Sequence, residues 1–426
     1  MYFNIRRQIM GLFFILACLP VCLYAQVITP VSQSKAIDYT RLARIDSMVN
    51  DYVQHNWIKG AVTIIVKDNQ LVQYKGYGMA DAATNKPMEK DAIFRIASQT
   101  KAITSAGILI LYEQGKLQLD EQVGDFIPEF KQQNVLNTFN AVDTTYTTVP
   151  AKRPITIRDL LTHTSGLDYP GIGSENMKAI YAKAKLAPGF GITKDASLLQ
   201  KMKQLGNLPL VHQPGEQWTY GLNCDVLGCI IEIVSGMSLQ DFLTKEIFTP
   251  LGMKDTYFNV PAAKASRLTT VYTEDSTHQI IPWPTGNFNT DPNFPLQNKT
   301  YFSGGADLSS TGYDYAVFLQ MIMNGGIYNG KRILSPRTVE AMLTPQLDFL
   351  FNDTNNFGLG FEIVAEKGAR KGTRHKGTFG WGGFFGSTYW ADPRSKLIAI
   401  ILTQQSPNSH YQVMEKFESM VYSSLK

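Results

Sequence analysis

Apolar positions recur along this chain with two different periods, and where each period holds decides the reading. From Asp38 to Gln54, Leu42, Ile45, Met48, Val49 and Val53 fall on one side at helical spacing. Ala61-Val62-Thr63-Ile64-Ile65-Val66 predicts a strand, Asp68-Asn69 a turn, and Gln70–Tyr77 a returning strand. Phe94-Arg95-Ile96-Ala97 reads as a brief strand or a turn entering a helix. Thr100–Tyr112 reads as a buried helix, since Ile103, Ala106, Gly107, Ile108, Leu109, Ile110 and Leu111 leave little polar surface; Gly115 stops it.

The middle of the chain has another texture. Residues 131–153 are polar and Thr-rich and predict a loop. Residues 155–253 are mainly helical by pattern, broken by Pro and Gly, and include an apolar helix Cys224–Val234 ended by Ser235-Gly236. Residues 258–300 have little period. Asp314–Met323 is helical, and Ser335-Pro336 supplies a cap and a first-turn proline for Arg337–Leu343. Strands return as Phe357–Val364, Thr373–Trp381, Gly386–Trp390 and Leu397–Thr403, and Tyr411–Leu425 is a closing helix.

Strands at both ends and helices between them predict an α/β (α+β) fold: an antiparallel sheet built from both chain ends, flanked by helices, with a mainly helical region inserted. The expected organisation is a leader at 1–25, a loose linker at 26–37 and one domain at 38–426. Its α/β part is 38–120 and 345–426, and its helical part is 121–344.

Composition narrows the class. At 426 residues the chain is long enough for a sizeable core. Lys+Arg is 40 against Asp+Glu 36, a formal charge of +4 that is nowhere clustered, which speaks against a nucleic-acid partner. Arg6 and Arg7, an apolar run Ile9–Ala17 and a small residue at Ala25 form a secretory-signal pattern. Pro20 and the short run argue against a membrane span, so none is expected in the mature chain. Export to the periplasm or medium is therefore expected, with lipoprotein attachment at Cys18 as the alternative. Cleavage after Ala25 lowers the charge from +4 to +2 and leaves Cys224 and Cys229, expected as two free, packed thiols.

Metal, P-loop, nucleophile-elbow and Cys-x-x-Cys motifs are absent from the sequence, so no metal or organic cofactor is implied. The Gly-rich stretch 377–386 lacks the spacing of a dinucleotide loop. Ser98-Gln99-Thr100-Lys101 is different: a serine at the first turn of a buried helix, with a lysine on the same helical face three residues on. Burial near a helix N-terminus disfavours that lysine as a cation, leaving it able to act as a base or in a proton relay. A weak serine nucleophile needs such a neighbour. Ser32-Gln33-Ser34-Lys35 and Ser423-Ser424-Leu425-Lys426 share the spacing but open no apolar helix.

Further motifs follow in order: Leu160-Leu161-Thr162-His163-Thr164-Ser165-Gly166-Leu167, Pro214-Gly215-Glu216-Gln217-Trp218-Thr219-Tyr220, Ser303-Gly304-Gly305-Ala306-Asp307-Leu308, Gly358-Leu359-Gly360-Phe361, Gly380-Trp381-Gly382-Gly383 and Tyr389-Trp390-Ala391-Asp392-Pro393. With Phe94–Lys101, this series resembles the serine β-lactamase and penicillin-binding-protein superfamily, in its class C branch and that branch's esterase relatives. The resemblance spans most of residues 40–425 and implies the β-lactamase/transpeptidase-like fold. It implies Ser98 as the acylated nucleophile, Lys101 as its partner and Tyr220 as the tyrosine of the second motif. Tyr220 would take the Ser98 proton and later deliver it to the leaving group or activate water.

Two departures from the lactamase pattern matter. Where lactamases carry asparagine two positions after the tyrosine, this chain has Leu222, and Asn223 comes one residue late. Asn223 either turns toward the site or caps the following helix. Where lactamases carry Lys-Thr-Gly, this chain has Trp381-Gly382-Gly383, as the esterase relatives do; His375-Lys376-Gly377 is the alternative alignment. Tryptophan offers an apolar wall and one donor, with no charge for a carboxylate. The glycines admit substrate close to the strand, and the Phe384 and Ser98 N–H groups would form the oxyanion hole. His375 is expected at a strand start and His163 holding a loop together. The resulting expectation is a serine hydrolase acting on a small-molecule ester. The alternatives are a β-lactam or D-amino-acid peptide amide, acyl transfer to an alcohol, and a non-catalytic binding protein on the same fold.

Overall fold

A computed structural model describes residues 27–186, 189–192, 197–286 and 290–426. Its central sheet has nine strands. They are β1 (Thr29–Pro30), β2 (Gly60–Lys67), β3 (Gln70–Asp81), β4 (Lys86–Pro87), β5 (Asn355–Phe357), β6 (Glu362–Val364), β7 (Phe379–Gly383), β8 (Ser387–Asp392) and β9 (Leu397–Leu402). The spatial order is β1-β3-β2-β9-β8-β7-β6-β5, with β4 paired to β3. The β2–β9 seam, Val62 opposite Leu402 through Lys67 opposite Leu397, joins the two chain ends in one sheet. Pairing is antiparallel except between β1 and β3.

The seam strands are apolar at consecutive positions because both faces of the sheet are covered. Val62, Ile64 and Val66 of β2, with Ile398, Ile400 and Leu402 of β9, face one core. That core also holds the inner helices α2 (Thr100–Glu113), α3 (Asn223–Ser235) and α4 (Gly312–Met323). Ala61 and Ile65, with Leu397, Ala399 and Ile401, face the other core, formed with α1 (Tyr39–Gln54) and α5 (Gln412–Ser423). The Asp38 carboxylate caps α1, accepting from Thr40 and Arg41 N–H at 3.0 and 3.2 Å. Every residue of α2 from Thr100 to Leu111 is buried, which explains its lack of a polar stripe. The mixed α/β architecture with a large sheet is the expected one.

Several local expectations are corrected. The segment expected as a loop at 131–153 forms a hairpin, Asn134–Asn140 with Thr145–Pro150. Its second strand is exposed throughout, so no buried alternation marked it. Instead, the Thr138 and Thr147 hydroxyls bond across it at 2.6 Å. The single strand expected at 357–364 is two, because Gly358-Leu359-Gly360-Phe361 makes a tight turn with Gly360 at φ +102. The strand expected from Thr373 begins at Phe379, after a turn at Lys376-Gly377. The linker expected to be loose adds β1 to the sheet edge, and Ile28 N–H donates to the Tyr328 hydroxyl at 3.2 Å. The expected leader, residues 1–25 with Cys18, lies outside the described residues. Cys224 and Cys229 are free and buried, and burial pushes both thiols up to about 12. Among the described residues, no single helix is long and apolar enough to cross a membrane.

Candidate active site

The entry to α2 is tied to the sheet before it reaches Ser98. Phe94–Arg95 pairs with Ser309–Ser310. Gln404, just beyond β9, brackets Arg95: its Oε1 accepts from the Arg95 N–H at 3.1 Å and its Nε2 donates to the Arg95 carbonyl at 3.0 Å. The Arg95 guanidinium is itself buried and donates to the Pro292 and Thr269 carbonyls at 2.6 and 2.7 Å. The chain then passes through Ala97 at φ +44, a left-handed conformation that a non-glycine residue holds only when its surroundings impose it. Ser98 follows in a short 3-10 turn, Ala97–Gln99, that runs into α2.

Two side chains converge on its hydroxyl, and a third backs one of them. Lys101, in the first turn of α2, places Nζ 3.3 Å from Ser98 Oγ. Tyr220, in the loop before α3, places its hydroxyl 2.5 Å from the same oxygen. Trp381 of β7 donates from Nε1 to the Tyr220 oxygen at 3.5 Å. Lys101 Nζ also lies 4.5 Å from the Tyr220 ring centroid.

Two partners of Lys101 went unread in the sequence. Nζ donates to the Tyr169 oxygen at 3.1 Å and to the Gly305 carbonyl at 2.8 Å. An ammonium has three donors and no acceptor, and here all three find oxygens. Burial alone would lower Lys101, but the oxygens of Tyr169 and Tyr220 outweigh it and the net direction is upward. The expectation that desolvation disfavours the cation is therefore corrected. Burial raises the Tyr169 phenol, which stays neutral as a Lys101 acceptor.

Behind Gly305 lies Asp225, fully buried. Burial pushes its carboxyl up to about 7, while the Ser303 hydroxyl and then the Lys101 charge pull it down. Gly305 is where these groups meet: a Cβ there would lie 2.7 Å from Asp225 Oδ2, 3.1 Å from the Tyr169 oxygen and 3.5 Å from Lys101 Nζ.

Ser98 opens on a cavity of about 200 Å³ walled by Tyr169, Pro170, Ile172, Leu186, Phe190 and Phe384. Among the described residues, none that lines it is charged. On the other side stand Trp218, Phe351, Phe357 and Trp381, with Trp218 stacked 5.9 Å from Tyr220 and Trp381 tilted 5.6 Å from it.

A Beta-lactamase family model matches residues 45–418. The chain belongs to the Beta-lactamase family. It is 33% identical over 364 residues to Protein Rv1367c of Mycobacterium tuberculosis, covering 82% of this chain and 87% of that one. It is 28% identical over 391 residues to Esterase EstB of Burkholderia gladioli, covering 87% and 91%. Among solved structures it is similar to EstCE1, a hydrolase with promiscuous acyltransferase activity, at 25% identity and a TM-score of 0.78, covering 90% of this chain and 99% of that one. The protein is thus a serine hydrolase on the Beta-lactamase fold, with esterases and acyltransferases among its relatives.

Within this Beta-lactamase-family site the departures in sequence take on geometry. Asn223 neither faces the cavity nor caps α3, which corrects both expectations for it. Fully buried, it accepts from the Ser165 hydroxyl at 2.5 Å and meets His163 Nδ1 at 2.8 Å. The packing explains this: Leu222 occupies the cap position, so Asn223 is turned back under His163, whose ring lies 5.2 Å from Tyr220. Asn223 therefore backs the tyrosine and has no access to substrate. Trp381, Gly382 and Gly383 lie on β7, half-buried beside the Ser98 turn. A Cβ at Gly383 would come 2.7 Å from the Ile96 carbonyl, so only glycine lets the strand approach the turn so closely. Phe384 follows, lining the cavity. The alternative triplet His375-Lys376-Gly377 is a turn, and its Lys376 side chain is 70% exposed. His375 bonds Asp392 Oδ2 at 2.7 Å, away from Ser98.

Proposed function

We propose that the protein is an exported carboxylesterase working through a Ser98 acyl-enzyme on esters with a small or apolar acyl group. The observation that carries this reading is the Ser98 hydroxyl, held by Tyr220 and Lys101 at the mouth of an apolar cavity. Its walls of Ile172, Leu186, Phe190 and Phe384 suit an apolar acyl chain. Trp381, standing where a lactamase has lysine, offers no charge to a substrate carboxylate.

In this mechanism Tyr220 acts as the phenolate: Ser98 Oγ attacks the ester carbonyl carbon while its proton passes to the Tyr220 oxygen, making it the neutral phenol. The Lys101 charge, 4.5 Å from the Tyr220 ring, favours negative charge on that oxygen. Negative charge gathering on the carbonyl oxygen is met by the N–H groups of Ser98 and Phe384. As the C–O bond to the alcohol breaks, Tyr220 returns the proton to the leaving oxygen. Water then repeats the sequence on the acyl-enzyme and releases the acid. Export is proposed on the leader pattern at residues 1–25 alone, and a secreted mature chain starting at Gln26 would support it.

A fluorophosphonate probe tests the nucleophile. The expected result is one adduct, on Ser98, together with loss of short-chain nitrophenyl ester turnover in Ser98→Ala at unchanged Tm. A folded protein with no adduct would refute the reading. Faster cleavage of a chromogenic cephalosporin than of the esters would overturn the role given to Trp381.

A further inference from the structure

We infer that the buried ion pair between Lys299 and Asp307 is a positioning device that sets the acyl-chain wall of the Ser98 cavity, and through it the acyl lengths the enzyme accepts. The inference deepens the carboxylesterase reading and rests on it. Lys299 Nζ stands 3.1 Å from Asp307 Oδ2, and both side chains are completely enclosed. A charge pair taken out of water gains little stability over apolar groups of the same volume, because desolvation offsets the attraction. What the pair supplies is direction.

Asp307 Oδ1 accepts from the Gly191 N–H at 2.8 Å, and Oδ2 from the Ser303 N–H at 3.1 Å. The Ser303 hydroxyl donates to the Gly189 carbonyl at 2.6 Å and accepts from the Gly305 N–H at 3.2 Å. One carboxylate and one hydroxyl thus hold the backbone on both sides of Phe190 against the Ser303–Asp307 segment. Gly189 and Gly191 sit at φ +94 and +66, so the chain bends sharply around Phe190 and depends on outside partners to hold that bend. The Phe190 ring is what the bend delivers: it lines the cavity and packs 5.7 Å from Phe384 and 6.4 Å from Phe385. The same segment presents the Gly305 carbonyl to Lys101 at 2.8 Å. The wall of the acyl cavity and the seat of the ammonium therefore share one anchor. Lys299 holds that anchor from behind, its Nζ 4.8 Å from the Phe294 ring centroid.

The test compares nitrophenyl acetate, butyrate and hexanoate on the full-length wild type and on the paired variant Lys299→Met/Asp307→Asn, which leaves no buried charge stranded. The hexanoate-to-acetate ratio of kcat/KM is expected to fall about tenfold, mainly through KM for hexanoate. Phe190→Ala is expected to shift that ratio in the same way, and adding it to the paired variant to shift it little further. An equal fall on all three esters, or additive shifts, would mean that the pair is merely structural. Native hydrogen exchange on the wild type tests the anchor even if the paired variant does not fold. A slowly exchanging Gly191 amide is expected, and exchange at the rate of an open peptide overturns the inference. Failure of the esterase reading looks different: the wild type would turn over none of the esters and carry no probe on Ser98.

Discussion

Asp225→Asn removes the ionisable group buried behind Lys101 and makes a quantitative prediction about stability and pH. The carboxyl is fully enclosed, and burial raises it from an ordinary 3.8 to about 7. Below pH 3.8 the acid is neutral in both the folded and the unfolded chain, and it imposes no ionisation penalty. Between 3.8 and about 7 the native state holds a proton that the unfolded chain has released, so stability is lost as pH rises through this window. At 1.36 kcal/mol per pH unit, the total loss is about 4 kcal/mol once the carboxylate is ionised in both states. The amide does not titrate. Its unmet N–H groups cost a further 1–3 kcal/mol or so, but equally at every pH, so that penalty cancels from the pH dependence. Chemical denaturation of both proteins at pH 5 and pH 8 should therefore find the difference in unfolding free energy moving by about 2.5 kcal/mol in favour of the variant. Titrations elsewhere are common to both proteins and drop out. A difference that stays flat with pH, or that moves toward the wild type as pH rises, would refute the assignment of Asp225 as a buried acid held above its ordinary range.

Two further substitutions probe the same cluster. Tyr169→Phe takes one acceptor from the Lys101 ammonium at 3.1 Å. Leaving a buried charged donor short costs about 1–3 kcal/mol, so kcat on nitrophenyl butyrate should fall about 10–100-fold with little change in KM; an unchanged kcat would remove Tyr169 from the site. Gly305→Ala puts a methyl group 2.7 Å from Asp225 Oδ2 and 3.1 Å from the Tyr169 oxygen. The methyl group also lies 3.5 Å from Lys101 Nζ and crowds all three side chains, so fluorophosphonate labelling of Ser98 should slow at least about tenfold. Labelling at the wild-type rate would show that the cluster is not tightly packed.

The sheet could be read from the chain because its seam strands are buried on both faces and so write unbroken apolar runs, such as Ala61–Val66 and Leu397–Leu402. The hairpin at 134–150 could not, since no face of it is consistently buried and nothing in its pattern repeats. The same distinction governs the site. Ser98 and Lys101 share one helical turn, so spacing alone relates them. Tyr220 and Trp381 carry their motifs with them. Tyr169 sits just past a motif, in a loop whose path no periodicity describes, and Asp225 is an acid in the first turn of a largely apolar helix. Their meeting at Gly305 depends on three separate elements coming together, and no local pattern encodes that. The consequence is chemical. With only Ser98 and Lys101 in view, burial argues for a neutral amine. Once the Ser98 hydroxyl, the Tyr169 oxygen and the Gly305 carbonyl are placed around Nζ, three acceptors make it an ammonium. A lysine committed in this way has no lone pair to offer Ser98. In the proposed mechanism proton abstraction therefore passes to Tyr220, the other group within hydrogen-bond reach of Ser98 Oγ that can accept a proton, at 2.5 Å.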